Sequence, residues 1–517
     1  MGYTITNAYA LAAFLAIGGL LQGFDVSSMS GIISYPKFKE YYGYPNANVT
    51  GGITASISGA SFLGCFVAFA LVDRLGRRLT AQIACVLFVI GAILSSASVN
   101  VAMLIVGRVF SGAGVGMLTS SGPVFLAELC RKEIRGRILS LQPWASNWGA
   151  LTMYFVAYGS MQTGSTAGFR IPWGVQAVAP IVLFTALFFF PQSPRWLASQ
   201  DRFDECLQEL ARLHGNGDPD APIVQAEYAE IQQAMQASRD MGAVKWSELV
   251  QRENIQRIIA GIFIHIWTQL SGNNAILFYV SYVFQMSGLT GNISLIAAGV
   301  QYAVQVVCTL PAIIYIDRLG RRPALMLGSA LMAIFLYSTA ATMANNGHYV
   351  PGGLNGTKAV SWVINPDAHN AQRAVIACTY LLVAAYSCTW NPIGWAYPPE
   401  IFPQRLRGKA VAVATSANWI FAFANNYYTP TAFQNLQWRT FLIFGTFNIA
   451  AGIHVFFLFP ETKGRSLEDM DAVFASGVRA WQTSKLPDRL DYAVDDAERG
   501  KLDTQVDRVS DAGAGQS

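Results

Sequence analysis

The chain has 517 residues, of which 53% are hydrophobic and only 13% are charged. This charged fraction is about half of that usual for soluble domains, which excludes an ordinary water-soluble protein. The net charge is only +4, and the short basic clusters lie between apolar segments, so they need no nucleic-acid partner to explain them. The composition therefore predicts a membrane protein.

Twelve apolar segments are each long enough to cross a bilayer, which takes about 20 residues. Six of them lie on each side of a polar stretch at 191–256. We therefore predict an all-α membrane protein with twelve transmembrane helices in two pseudo-symmetric bundles, at 1–190 and 257–460, joined by a small cytoplasmic helical linker. The predicted spans are 9–33, 51–72, 79–97, 101–124, 138–158, 172–190, 257–283, 293–316, 323–343, 372–395, 409–432 and 438–459.

The ends of the chain are predicted to be cytoplasmic. An even number of spans places both termini on one side, and the Lys- and Arg-rich short loops fall on that same side, as the positive-inside rule requires. The tail at 461–517 is charged and poor in aromatic residues, which predicts disorder from about Phe474 onward. Three glycosylation sequons, at Asn48, Asn292 and Asn355, fall in predicted outside loops.

Two ionisable residues in the first bundle are predicted to form a buried pair. Asp25 in the first span and Arg108 in the fourth both lie about 11 Å from the outer surface at about 1.5 Å per residue. Their opposite charges allow either a static salt bridge or a switch, in which separation of the pair favours protonation of Asp25. His265 and His454 also lie within spans, and we interpret them as helix-interface groups.

Two short motifs occur twice in the chain and indicate a duplicated bundle. An Asp-Arg-Leu-Gly-Arg-Arg cassette occupies 73–78 and 317–322, and each copy is followed by a Glu with Arg-Gly seven positions later. The simplest interpretation is a topology signal; we favour a state lock in which Glu128 or Glu400 pairs with Arg135 or Arg407 and opposes separation of the halves. The candidate lock residues are Asp73, Arg77, Glu128, Arg135, Asp317, Arg321, Glu400 and Arg407.

Carboxamides and aromatic rings converge from three spans of the second bundle. Span 7 contains Thr-Gln-Leu-Ser-Gly-Asn-Asn at 268–274, a pattern typical of a broken helix that lines a cavity. Amides both donate and accept hydrogen bonds, which suits the hydroxyl groups of a sugar. Spans 10 and 11 add Trp395, Asn418 and further polar residues. No obvious partner for an anionic substrate is present, so the pattern favours a neutral polyol.

The chain resembles the sugar porter family of the major facilitator superfamily. The resemblance is carried by both cassettes and by motifs in family order from residue 23 to residue 464, and the first span particularly resembles fungal high-affinity glucose transporters. Besides the cassettes, the matching stretches are Gly23-Phe24-Asp25, Gly107-Arg108, Pro191 to Leu197, Gln269 to Gly272, Pro392 to Trp395 and Pro460 to Gly464.

The resemblance implies a proton-coupled monosaccharide symporter of the plasma membrane. It makes Asp25 the proton acceptor and Arg108 its partner, with no cofactor other than the proton as coupling ion. The outer gate is expected at Phe278 and Tyr279. The expected sugar contacts are Gln142, Gln269, Asn273, Asn274, Gln305, Trp395 and Asn418.

Three positions depart from the family pattern. Pro143 stands where a sugar-binding Gln is common, Thr268 replaces the first of two consecutive glutamines, and Ser27 replaces a frequent Gly. The expected function is therefore the import of glucose or a close hexose or pentose, with a related polyol, quinate or disaccharide as an alternative substrate. A facilitative uniporter and a non-transporting sensor are also compatible with these motifs, although only 57 residues follow Pro460 for a signalling tail. No nucleotide-binding loop, metal cluster or nucleophile motif indicates an enzyme.

Overall fold

The computed structural model describes residues 7–130, 138–139, 141–240, 246–289, 291–354, 357–403, 406–463, 470, 473–474 and 478–485. The first half is helical throughout its described part. Its helices are α1 (Ala8–Ile32), α2 (Pro36–Tyr41), α3 (Ala47–Leu75), α4 (Arg77–Ser96), α5 (Val101–Leu129), α6 (Leu141–Met161), α7 (Ala167–Val175) and α8 (Val178–Leu187).

The linker forms a small helical unit that docks on the first half. Its apolar residues, among them Leu210 and Val224, pack into a core of their own, and Trp196 Nε1 donates a hydrogen bond of 3.1 Å to the Asp73 carbonyl. The linker contains α9 (Pro194–Ser199), α10 (Phe203–His214), α11 (Pro222–Asp240) and a 3₁₀ helix (Trp246–Val250).

The second half repeats the helical plan and adds a short β-hairpin that the sequence did not predict. The two strands are antiparallel, with Gly347 opposite Ile364. The elements are α12 (Arg252–Leu270), α13 (Asn273–Phe278), α14 (Val280–Met286), α15 (Gly291–Leu319), α16 (Arg321–Asn346), β1 (Gly347–Tyr349), β2 (Trp362–Ile364), α17 (His369–Cys388), α18 (Trp390–Ile401), α19 (Arg407–Asn435), α20 (Arg439–Leu458) and a 3₁₀ helix (Ala480–Lys485).

Twelve segments of the chain cross the membrane. Among the described residues, nine segments are long and apolar enough to cross a membrane, with α7 and α8 forming one of them and α17 and α18 another. The remaining three crossings are α6, the broken run α12–α14, and α19. These three carry most of the predicted amide residues, which lowers their hydropathy. Polar residues in a span are therefore concentrated where they face protein rather than lipid.

The two halves have equivalent internal packing. Helix α5 packs on α3 and α4, as α17 packs on α15 and α16, and the pair α1–α6 corresponds to α12–α19. The halves contact each other mainly along α3–α19 and α6–α15. We call the side of the molecule that carries both cassettes the cassette side and the opposite side the far side.

Residues 478–485 of the tail pack against the second half. Trp481 stacks on Phe456 of α20, with 5.8 Å between the ring centroids. The Thr483 hydroxyl accepts a hydrogen bond of 3.0 Å from the Glu461 backbone N–H. One aromatic ring and one hydroxyl suffice to dock this short segment, although the average composition of the tail is polar.

Candidate functional site

A cavity of about 370 Å³ lies between the two halves, within the range of small-molecule pockets. Its wall is built by α1, α3, α5 and α6 from the first half and by α12, α13, α15, α17, α18 and α19 from the second. The cavity extends to the cassette side. Predicted residues in this wall are Asp25, Gln142, Gln269, Asn274, Phe278, Gln305, Trp395, Glu400, Arg407 and Asn418.

A row of hydrogen-bonded amides crosses the cavity wall. Asn274 Nδ2 donates to Gln269 Oε1 at 3.1 Å, and Gln269 Nε2 donates to Asn418 Oδ1 at 2.8 Å. The row depends on a break between α12 and α13 at Gly272, whose φ of +84° is a left-handed conformation that favours glycine. The side chains are thereby fixed in the same cavity wall as the Trp395 ring, and this combination of polar groups and an aromatic face suits a polyol.

Asn273, one of the predicted sugar contacts, does not line the cavity. Asn273 is fully buried and lies outside the cavity wall, whereas its neighbour Asn274 lines the cavity. Successive residues on a helix are rotated by about 100°, so the two amides point in different directions. Which of the two faces the cavity could not be predicted from the sequence, because the break at Gly272 changes the direction in which the following side chains point.

Three carboxamide residues in the cavity wall were not predicted from the sequence. Gln22, Asn147 and Asn391 all line the cavity. Asn147 lies one helical turn after Pro143, on the same face of α6, and its Nδ2 donates to Thr309 Oγ1 across the two halves at 2.8 Å. This spacing of four residues would have allowed Asn147 to be predicted as a cavity residue from the sequence.

Two of the three positions that depart from the family pattern also lie in the cavity wall. Pro143 and Thr268 both line it, and the Thr268 hydroxyl donates to the Ile264 carbonyl at 2.8 Å. Neither side chain supplies an amide. The positions that depart from the family pattern are therefore located where they affect which ligand fits.

Asp25 and Arg108 form the ion pair that their equal depths predict. Asp25 Oδ1 lies 3.1 Å from Arg108 Nη2, and the two residues are 6% and 2% exposed. Among the described residues, Arg108 Nε and Nη2 have no hydrogen-bond partner, so the contact is mainly electrostatic. Asp25 lines the cavity. A carboxylate that faces the cavity and is held by one unaligned guanidinium can exchange that partner for a proton.

Tyr279 closes the far side of the cavity. Its hydroxyl donates to the Asn426 carbonyl of α19 at 2.7 Å and lies 2.6 Å from Thr54 Oγ1 of α3. Ser281 reinforces the closure, since its hydroxyl donates to the Ser30 carbonyl of α1 at 2.8 Å. Together with the opening toward Glu400, these contacts define a conformation that faces the cassette side. Phe278 lies in the cavity wall beneath this layer.

Removing the Tyr279 hydroxyl is expected to weaken the far-side closure. Tyr279→Phe keeps the buried ring but removes two contacts, each worth about 0.5–1.5 kcal/mol. We expect a cysteine placed at Thr50, near the far-side end of α3, to react faster with a membrane-impermeant maleimide in this variant. Tyr35→Phe, which removes a hydroxyl that bonds only within the first half, is the control, and equal labelling rates in both variants would contradict the gating role.

The repeated cassettes form matching ion pairs, one in each half. Arg77 Nε and Nη2 each donate to the Glu128 carboxylate at 2.9 Å, and Arg321 Nη2 donates to Glu400 at 2.9 Å. The cassette glycines have φ values of +83° and +87°, in tight turns that bring each arginine to the start of the next helix. Each carboxylate also accepts a hydroxyl bond, from Ser193 or from Thr462.

This geometry adds cassette arginines to the predicted lock. Among the described residues Glu128 pairs with Arg77 and Glu400 with Arg321, and each of these two pairs lies within one half, so in this conformation neither of them bridges the halves. Arg407 donates to the Phe402 carbonyl at 3.2 Å. Asp73 Oδ1 lies 3.9 Å from Arg77 Nη1. Arg135 and the side chain of Asp317 lie outside the described residues.

The two histidines and the sequon asparagines are not part of the amide row. His454 accepts a hydrogen bond of 2.7 Å from Trp267 Nε1, as expected of a helix-interface group, and His265 packs edge-on against Trp395. Asn48 is exposed at the start of α3 and bonds to Thr431. The side chain of Asn292 and the whole of Asn355 lie outside the described residues, so glycosylation stays a prediction.

Comparisons with known proteins agree on one family. The model of the family described as "Sugar (and other) transporter" matches residues 11–474. The chain is 40% identical over 507 residues to the MFS glucose transporter mfs1 of Aspergillus flavus, covering 96% of this chain and 95% of that protein. It is 38% identical over 501 residues to a high-affinity glucose transporter of Kluyveromyces lactis, covering 96% and 90%.

The chain is also similar to a glucose sensor and to a solved transporter structure. The high glucose sensor RGT2 of Saccharomyces cerevisiae is 30% identical over 489 residues, covering 91% of this chain but 61% of the sensor. The structure of the proton:xylose symporter XylE bound to 6-bromo-6-deoxy-D-glucose has a TM-score of 0.75 at 24% identity, covering 90% of this chain and 99% of that one; XylE is from E. coli. This likeness establishes the fold.

Proposed function

Because the chain belongs to the sugar transporter family of the major facilitator superfamily, we propose that it imports a monosaccharide together with a proton across the plasma membrane. The substrate is glucose or a close hexose or pentose. The cassette side is cytoplasmic, as its basic loops require, and both termini lie on it. No cofactor is needed beyond the coupling proton.

The observation that carries this proposal is that one cavity contains both a sugar-type amide row and a paired carboxylate. Gln269, Asn274 and Asn418 offer neutral donors and acceptors, and Asp25 is the titratable group in the same wall. The glucose transporters among the relatives support a sugar substrate, and the proton:xylose symporter XylE supports its pairing with a proton.

The mechanism alternates access to this cavity. When the far side is open, a proton neutralises Asp25 and releases Arg108, and sugar binds to the amide row. Closure of the Tyr279 layer then produces the conformation described above, in which sugar and proton leave toward the cassette side. One proton that moves down 100 mV supplies about 2.3 kcal/mol, which supports a sugar gradient of roughly fifty-fold at about 1.4 kcal/mol per tenfold.

Labelled uptake in a yeast that lacks its own hexose transporters tests the proposal. Glucose and xylose are supplied with and without a protonophore while the external pH is recorded. We expect accumulation that the protonophore abolishes and alkalinisation of the medium when sugar is added. Equilibration of sugar without a pH change would show a facilitative uniporter instead.

A sensor is the second candidate because RGT2 is among the relatives. The same experiment separates the two functions, since a sensor responds to external glucose without carrying it. No uptake of glucose or xylose, together with a growth or transcriptional response to glucose, would favour a sensor. No uptake and no response would direct attention to a polyol, quinate or disaccharide substrate, because Pro143 and Thr268 alter the cavity wall.

A further inference from the structure

Asn391 lies in the cavity wall with an unused hydrogen-bond donor. The residue is 9% exposed, and its Nδ2 has no hydrogen-bond partner among the described residues. A buried N–H without a partner is costly, so such groups are rare in native structures. A ligand or a water in the cavity can supply the partner that this donor lacks.

Three other amides of the wall differ from Asn391 in this respect. The nitrogens of Gln269 and Asn274 donate to neighbouring amides, and that of Asn147 donates to Thr309. Trp419 Nε1 also lacks a partner in the described part of the chain, and its residue lines the cavity. The wall thus presents two unsatisfied donors on α18 and α19, which matches a ligand that carries acceptors such as hydroxyl oxygens.

The position of Asn391 is fixed by its neighbours. The helix breaks at Thr389, with φ −130° and ψ −75°, and the Trp390 indole then donates to the Leu325 carbonyl and to Ser329 Oγ, each at 3.1 Å. These bonds anchor the start of α18 on α16. The backbone of Asn391, the next residue, is therefore held in place, although the side-chain nitrogen Nδ2 has no partner within the described ranges.

Asn391 and Trp395 lie one helical turn apart on the same face of α18, and both line the cavity. A sugar that covers the indole ring with its C–H face directs ring hydroxyls to the edge of that ring. We propose that Asn391 donates a hydrogen bond to one hydroxyl oxygen of the sugar and thereby helps to set sugar selectivity. This inference rests on the proposed function, since it assigns a specificity residue to the same cavity.

The test compares Asn391→Ala with wild type in uptake competition by glucose and by the four monodeoxyglucoses that lack the 2-, 3-, 4- or 6-hydroxyl. We expect the half-inhibitory concentration of glucose to rise about 3- to 10-fold in the variant. One monodeoxyglucose, which lacks the hydroxyl that Asn391 binds, should show no change between the two proteins. Asn391→Ser keeps a shorter donor and should give a smaller rise with the same dependence on the missing hydroxyl.

Ser387→Ala is the matched control. Ser387 Oγ is also buried with no partner among the residues that the structure describes, four residues earlier in the same span, but it lies outside the cavity wall. Its substitution should change none of the five concentrations. An equal rise for glucose and all four analogues, or no rise for any, overturns the role of Asn391 while sugar transport stands. A wild-type protein that takes up no glucose overturns the proposed function itself and this inference with it.

Discussion

Asp25→Asn is expected to abolish sugar accumulation while it leaves exchange of sugar across the membrane intact. The amide has nearly the shape of the carboxylate but takes up no proton, so the protein can still change its conformation without coupling to the proton gradient. Arg108 loses its ionic partner, which lies 3.1 Å away in the wild type. The roughly fifty-fold gradient available from one proton at 100 mV should fall to equality.

The measurement is the steady-state ratio of internal to external labelled sugar, together with counterflow in preloaded vesicles. Asp204→Asn serves as a matched control, because Asp204 is an exposed carboxylate in the linker helix α10. It should accumulate sugar like the wild type. Protonophore-sensitive accumulation by Asp25→Asn at the wild-type level would refute the coupling role and leave the ion pair a static contact.

Depth along a helix can be predicted from the sequence, and this is why the Asp25–Arg108 pair could be predicted. Both residues lie in long, unbroken helices, where each residue advances the chain by a known distance. The pair then follows from two counts and from the cost of a lone charge in a membrane. The spans themselves were located from the length of their apolar segments.

Rotation about a helix axis is harder to predict once the helix breaks. The left-handed Gly272 decides that Asn274, not Asn273, faces the cavity. The break at Thr389 has the same effect on Asn391. The direction in which a side chain points after either break does not follow from residue spacing, because it depends on the packing of the neighbouring helices. The amide row was thus predictable as a set but not residue by residue.

The pairing of the lock residues also depended on tertiary structure. The sequence predicted Arg135, seven positions after Glu128, as the partner of that carboxylate. Arg135 lies outside the described residues, and within them Glu128 pairs with Arg77 from another helix. A turn at Gly76 brings that arginine to the carboxylate. Repetition in the sequence therefore indicated which residues belong to the network, and only the fold showed which of them are in contact.

Glu128→Gln is expected to reduce transport more than Glu400→Gln does. Both substitutions keep the shape of the side chain and remove the charge that holds a cassette arginine. The Arg77–Glu128 pair is only 12% and 11% exposed, and loss of one partner from a buried pair costs about 3–5 kcal/mol. The Arg321–Glu400 pair is more accessible, with Glu400 28% exposed.

The second half has another carboxylate at its cassette, which is a further reason to expect a larger effect from Glu128→Gln than from Glu400→Gln. Glu461 accepts the backbone N–H groups of Arg321 and Arg322 at 2.9 and 3.0 Å, where it stabilises the start of α16. Gln192 has the corresponding place before Ser193 in the first half, and its buried Oε1 has no partner within the described part of the chain. The first half therefore relies on Glu128, whereas the second has both Glu400 and Glu461.

The measurement pairs the midpoint of thermal unfolding of the purified protein in detergent with the maximal uptake rate. We expect the midpoint and the rate to fall most for Glu128→Gln, with an unchanged half-saturation for sugar, because Glu128 lies outside the cavity wall. Glu205→Gln removes a carboxylate from an exposed pair, 47% and 51% exposed, and should have no measurable effect. If Glu128→Gln left both quantities unchanged, or if it chiefly weakened sugar affinity, the cassette network could not govern the conformational cycle.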